Sequence, residues 1–142
     1  MNRAAVKFDA LLDAFEFVSF GQPSEHEAHL CVETGTIHCH TEYGDNEKPL
    51  PDDLDDSSKY IAIPHKNDLN LGRSLVLRYT REFLPDEMGK IQEIFSHAGA
   101  YARFKEMLES RGKIQHWYEY EATAQRQALR EWCVDNGIKI DD

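Results

Sequence analysis

The stretch Ala98–Ile140, AGAYARFKEMLESRGKIQHWYEYEATAQRQALREWCVDNGIKI, decides the fold class. It reads as two amphipathic helices separated by a glycine-containing break at Arg111–Lys113, and it holds both tryptophans. In the first helix Tyr101, Phe104, Met107 and Leu108 fall at i, i+3, i+6 and i+7. That spacing draws one apolar stripe and leaves Arg103, Lys105, Glu106 and Glu109 to the opposite face. In the second, Trp117, Ala124, Ala128 and Trp132 recur at helical spacing with Leu129 and Cys133 beside them. Asn136-Gly137 ends it, since glycine takes the positive φ of a left-handed cap, and Ile138 can fold back on the last turn. From Ile114 to Asn136 the helix would run roughly 35 Å at 1.5 Å per residue.

Upstream, Pro85-Asp86-Glu87 restarts a helix to about His97 that packs through Met88, Ile91, Ile94 and Phe95. A helix over 71–84 precedes it, capped by Asp68 or Asn70, with Leu75, Tyr79 and Phe83 at i+4 steps. Lys59–Pro64 reads as a short strand stopped by proline. The clearest β signal is Ala28–Thr41, AHLCVETGTIHCHT, which alternates on both sides of Thr34-Gly35. A two-residue turn there pairs Cys31 with His38, Leu30 with Cys39 and His29 with His40. Leu30, Val32, Ile37 and Cys39 then face the core, while His29, Cys31, Glu33, Thr36, His38 and His40 share the other face. Residues 2–18 read as an N-terminal helix. The expected class is α+β, a small three-stranded antiparallel sheet covered by helices, in one domain. Residues 42–58, with seven acids and one lysine, are expected to form a mobile acidic loop.

The 142 residues suffice for a core stable without staples. Three cysteines, Cys31, Cys39 and Cys133, show no secreted-scaffold spacing, which favours reduced thiols and a cytoplasmic setting. Asp9, Asp13 and Glu16 interrupt the apolar pattern of the amino terminus, so it makes a poor signal peptide. The net charge of −10 is uneven: residues 1–71 hold 5 Lys/Arg against 14 Asp/Glu, a net of −9. Such a surface repels nucleic acid and anionic lipid but suits a basic protein partner.

Taken in order, the segments HLCVETGTI, KYIAIP, SLVLRYTREFLPDE, GAYARFKEML, WYEYEA and REWCVDNGIKI resemble the bacterial Uncharacterised Protein Family 0158, from about Ala28 to Ile140. Members commonly carry Asp where Cys31 stands here. The resemblance implies no established reaction, substrate or cofactor.

Four candidate sites follow from the residues. His29, Cys31, His38 and His40 on one hairpin face could converge on a zinc ion, with Glu33 as base, which would make a small metal-assisted hydrolase. The spacing is not a known ligand pattern, and a solvated or packed polar face is the commoner outcome. Asp52, Asp53, Asp55 and Asp56 lack the alternation and glycine of a calcium loop, but as a charge patch they could steer a basic partner. Arg103, Trp117 and Tyr118 could form an aromatic–cationic binding spot, or Trp117 could be core with Arg103 solvated. Cys133 is expected to be a small core residue.

Neither His-Glu-x-x-His, Gly-x-Ser-x-Gly nor a phosphate-binding glycine loop occurs. The residues therefore point to a non-enzymatic acidic protein-binding module, of regulatory or immunity type, with no cofactor. The metal-assisted hydrolase and a structural homo-oligomeric subunit stand as alternatives.

Overall fold

A computed structural model describes residues 3–20, 25–41 and 50–141. In chain order these form β1 (Val6–Lys7), α1 (Phe8–Ser19), β2 (His26–Cys31), β3 (Ile37–Thr41) and β4 (Tyr60–Ala62). Then follow α2 (Arg73–Phe83), α3 (Met88–Ile94), α4 (Ala100–Ser110), α5 (Ile114–Asp135) and β5 (Ile140–Asp141). Single 3-10 turns occupy Lys66–Leu69 and Pro85–Glu87. The class is α+β, with a three-stranded antiparallel sheet in the order β3-β2-β4 and a parallel pair β1-β5. Packing groups the chain into two units, Met1–Leu69 with Ala128–Asp142, and Asn70–Gln127.

In the first unit α1 packs on β2 and, less fully, on β3. Phe8, Leu11, Ala14, Phe15 and Val18 form its buried stripe, and Asp9, Asp13 and Glu16 are exposed opposite. Ala28 and Leu30 supply the facing layer, and Leu129, Cys133 and Ile138 are buried in the same unit. The helix expected from residue 2 begins only at Phe8. Val6 and Lys7 are extended instead, opposite Ile140 and Asp141, and Lys7 Nζ lies 3.0 Å from Asp141.

The α5 terminus forms as its sequence requires. Gly137 has φ +65°, its N–H donates to Val134, and the Ile138 N–H reaches back to Cys133 at 2.8 Å. This is a Schellman closure, with Ile138 folded into the core. The guanidinium of Arg3 donates to the Asn136 and Gly137 carbonyls, placing a cation at the negative end of the helix.

The hairpin register differs from the expected one. Leu30 pairs with Ile37, His29 with His38, Ala28 with Cys39 and Glu27 with His40. The connection is longer than two residues, closed by Cys31 N–H to Thr36 O and Gly35 N–H to Cys31 O, both 2.8 Å. Val32 leaves the ladder because its backbone is taken elsewhere: its N–H donates to Lys59 and its carbonyl accepts from Ala4. A slip of two residues preserves the face of every side chain, so Leu30 and Ile37 still look inward. Cys39 does not join the core. It is exposed, because α1 lies over β2 and covers only part of the edge strand β3. Cys31, expected on the polar face, is buried beside its β4 partner Tyr60.

The acidic loop lies partly outside the described residues, at 42–49. Residues 50–58 form turns closed by Asp56 O accepting from the Lys59 and Tyr60 N–H groups, followed by β4, which is shorter than the strand expected over 59–64.

The second unit is the helical one. Leu75, Val76 and Tyr79 of α2, Ile91 of α3, Phe104 and Leu108 of α4 and Trp117 of α5 are buried core residues of this unit, with Tyr79 and Phe104 in ring contact with Trp117. Asp68 and Asn70 do not cap α2, whose N-cap is Gly72. Asp68 instead accepts the His65 N–H at 3.0 Å, and Asn70 takes φ +58°. Phe83 ends the expected stripe at the surface, 36% exposed.

Candidate functional site

The outer face of the hairpin is rich in histidine. His29 of β2 stands directly opposite His38 of β3, and His40 stands opposite Glu27. Cys31 has no histidine across from it, because the two-residue slip gives it Tyr60 on β4 and leaves the β3 side to the turn. The alternative ligand set His29, Cys31, His38 and His40 therefore does not gather at one point. Among the described residues no three His, Cys, Asp or Glu side chains come together so as to hold a metal ion.

A cleft of about 280 Å3 opens beside this face, lined by His26, Glu27 and His29 of β2, by Ala62 of β4, and by His65 and Asp68 beyond it. His65 is buried, and its Nδ1 accepts the Asn67 N–H at 3.0 Å, which leaves the ring proton on Nε2. The Asp68 carboxylate holds the His65 N–H, so Pro64 to Asp68 is a closed turn rather than a strand end. The His26 ring tilts against Phe17 at 4.9 Å and Phe20 at 5.7 Å. The Nδ1 atoms of His26 and His29 are both buried without a protein partner among the described residues. His26, His65 and Asp68 were not legible as cleft residues, because their only sequence signal is three isolated polar side chains.

Burial pushes the His29 pKa down. Glu27 opposes this, and the neighbouring His38 and His40 reinforce it. A folded-state value below the unfolded one of about 6.5 means that the unfolded chain binds the extra proton first. This contribution to stability is complete above about pH 6.5 and is lost as pH falls toward the folded value. Urea midpoints measured at about pH 7.5 and about pH 5.5 should therefore fall less on acidification for His29→Gln than for the wild type. An equal fall in both proteins would remove His29 as the cause.

The four aspartates divide into two pairs. Asp53 accepts from Lys59 Nζ at 2.9 Å and from the Tyr60 hydroxyl at 3.0 Å, which hold its carboxyl below the usual range. Asp56 is held down likewise by the Ser58 hydroxyl at 2.6 Å and the Ser58 N–H at 3.0 Å. Asp52 and Asp55 are exposed and form no ion pair among the described residues. All four therefore face solvent, but Asp53 and Asp56 also build the turn.

Arg103, Trp117 and Tyr118 do not form one spot. Trp117 is 1% exposed, with its ring edge-on to Tyr79 at 5.2 Å and to Phe104 at 5.1 Å. Tyr118, one residue and about 100° further round the helix, is 41% exposed beneath Lys105 Nζ at 5.7 Å. Arg103 is solvated. Cys133 lies in the core, where burial pushes its thiol up to about 11, so it is no nucleophile at neutral pH. Burial pushes the Cys31 thiol up too, but hydrogen bonds from Thr34 and Glu33 and the Lys59 charge outweigh it, leaving the thiol below its ordinary value.

Compared with known proteins, the chain matches no family model, no curated protein and no solved structure. No helix among the described residues is long and apolar enough to cross a membrane.

Proposed function

We propose that the protein is a non-enzymatic binding module whose acidic first unit takes a basic protein partner in the bacterial cytoplasm. As part of this reading the chain is a divergent member of Uncharacterised Protein Family 0158, on the motif succession from Ala28 to Ile140. The observation that carries the proposal is the outer face of α1. Asp9, Asp13 and Glu16 lie there at i, i+4 and i+7, all exposed and with no cation paired to them among the described residues. Three cations of the unit are engaged elsewhere, Arg3 at the end of α5, Lys7 with Asp141 and Lys59 with Asp53, while Arg130 lies over the Phe8 ring at 4.0 Å, at the start of α1. The negative field of Asp52 and Asp55 adds to that of α1, and such a field raises association rates with a basic surface. The outer edge of β3 bears no strand among the described residues, so an extended segment of the partner can add to the sheet there.

The test is a pull-down from the native cytosol at about 0.1 M and about 1 M salt, between which the screening length falls from about 10 Å to about 3 Å. A basic protein should be retained at low salt and released at high salt. The triple variant Asp9→Lys, Asp13→Lys, Glu16→Lys should fail to retain it at either. Retention unchanged by the triple variant, or no partner at all, overturns the proposal.

A further inference from the structure

The helical unit carries a second feature of opposite sign. Arg78, Arg81 and Glu82 of α2 and Tyr120 of α5 line an open cleft of about 330 Å3, a volume within the range of small-molecule sites. Two guanidiniums against one carboxylate give it a net positive charge in a chain that is otherwise strongly acidic. The cations have not been neutralised by their neighbours. Glu82 stands one turn after Arg78, at ion-pair spacing, yet no ion pair links Glu82 to either arginine. Arg81 lies in the last turn of α2, where the helix dipole already favours a cation, so its donors remain open without a protein acid.

Arg78 and Tyr120 are anchored by contacts of their own, while Arg81 and Glu82 are exposed. One Nη of Arg78 donates to the Asn70 carbonyl at 3.1 Å, and Asn70 is the one described non-glycine residue with positive φ, at +58°. Asparagine adopts that region readily, and here it presents the carbonyl that accepts from Arg78. The Tyr120 ring is edge-on to Tyr79 at 5.1 Å and to Phe83 at 5.8 Å, and stacks over Trp117 at 6.2 Å. Its hydroxyl has no partner among the described residues, and Tyr120 lines the same cleft as the two guanidiniums.

We propose that this cleft binds a small phosphorylated polyol, with Arg78, Arg81 and the Tyr120 hydroxyl donating to the phosphate and Glu82 accepting from a hydroxyl of the ligand. A phosphate monoester suits the donor set, because guanidiniums bind phosphate oxygens through paired N–H groups. The remaining carboxylate would repel a bare anion but accepts from a ligand that brings hydroxyls. The site is independent of the acidic surface on the other unit.

The experiment titrates the full chain by calorimetry and by arginine Nε–H NMR at constant ionic strength. The probes are ribose 5-phosphate, inorganic phosphate and ribose. Ribose 5-phosphate should bind saturably and more tightly than inorganic phosphate, and ribose should give no response. Arg81→Gln and Arg78→Gln, each checked for its fold by circular dichroism, should weaken binding about tenfold. Arg73→Gln, on the same helix but outside the cleft, should leave it unchanged. No saturable response, equal affinity for inorganic phosphate, or binding indifferent to Arg81→Gln would overturn the assignment.

Discussion

Replacing Trp117 by Ala is expected to cost about 3–5 kcal/mol of folding stability, the range for removing a large aromatic from a packed core. Trp117 is 1% exposed and lies within ring contact of Tyr79, Phe104 and Tyr120. Those partners are themselves fixed, Tyr79 by a 2.8 Å hydrogen bond to His116, so the unit cannot collapse freely into the vacated space. The indole Nε1 adds a second expectation. It is buried without an acceptor among the described residues, and a buried donor left unpaired costs about 1–3 kcal/mol. Trp117→Phe removes that donor while keeping most of the apolar contact. It should therefore lose under about 2 kcal/mol, well short of the alanine variant. Urea unfolding followed by far-UV circular dichroism measures both, without relying on the fluorescence that the substitution alters. Equal losses for Ala and Phe would show that the vacated volume is not what destabilises the alanine variant.

Gly35→Ala is the second large effect, on the order of 3 kcal/mol. Gly35 has φ +76°, where an L side chain is strained by about 1–2 kcal/mol. An added Cβ would also stand 2.7 Å from the Ala5 carbonyl oxygen, a backbone atom that has nowhere cheap to go. Moving Ala5 disturbs the Ala4 N–H to Val32 O bond and the Val6 N–H to Lys139 O bond, both 2.9 Å. Gly99 provides the control. It has nearly the same φ, +75°, but a Cβ there meets nothing within 4 Å. Gly99→Ala should cost only the conformational part, about 1–2 kcal/mol. Denaturation midpoints of the two variants isolate the Ala5 contact as their difference, and identical midpoints would falsify its contribution.

The four C-terminal helices were legible because each carries its own amphipathic stripe and its own stop. Gly112 and Gly137, with φ +68° and +65°, end α4 and α5 where the pattern places them. The hairpin was legible in its alternation but not in its register, and Cys31 and Cys39 exchanged the burial expected of them. Alternation specifies parity, and a slip of two residues keeps parity, so nothing local distinguished Cys31 opposite His38 from His29 opposite His38. The distinction came from Val32, whose backbone is claimed by Lys59 and Ala4. The alternative metal set lost its cysteine with that register, since Cys31 no longer stands across from a histidine.

The candidate sites divide in the same way. The unpaired acids of α1 could be read as a polar face, but not as free of cations, because Lys7 lies two residues before Asp9 and is brought to Asp141 only by the β1-β5 pairing. The histidine cleft required β4 beside β2, and the arginine cleft required Tyr120 of α5 beside the end of α2.

From its residues alone, this protein's α+β class, the existence of its five helices, the stops of α4 and α5 and its lopsided charge were legible. Periodicity, capping glycine and charge are properties of neighbours along the chain. Strand register, the two-residue parallel pair joining the ends of the chain, and which side chains share a cleft were decided by tertiary structure. Each of these depends on backbone hydrogen bonds or side-chain contacts between residues distant in sequence, which no local pattern records.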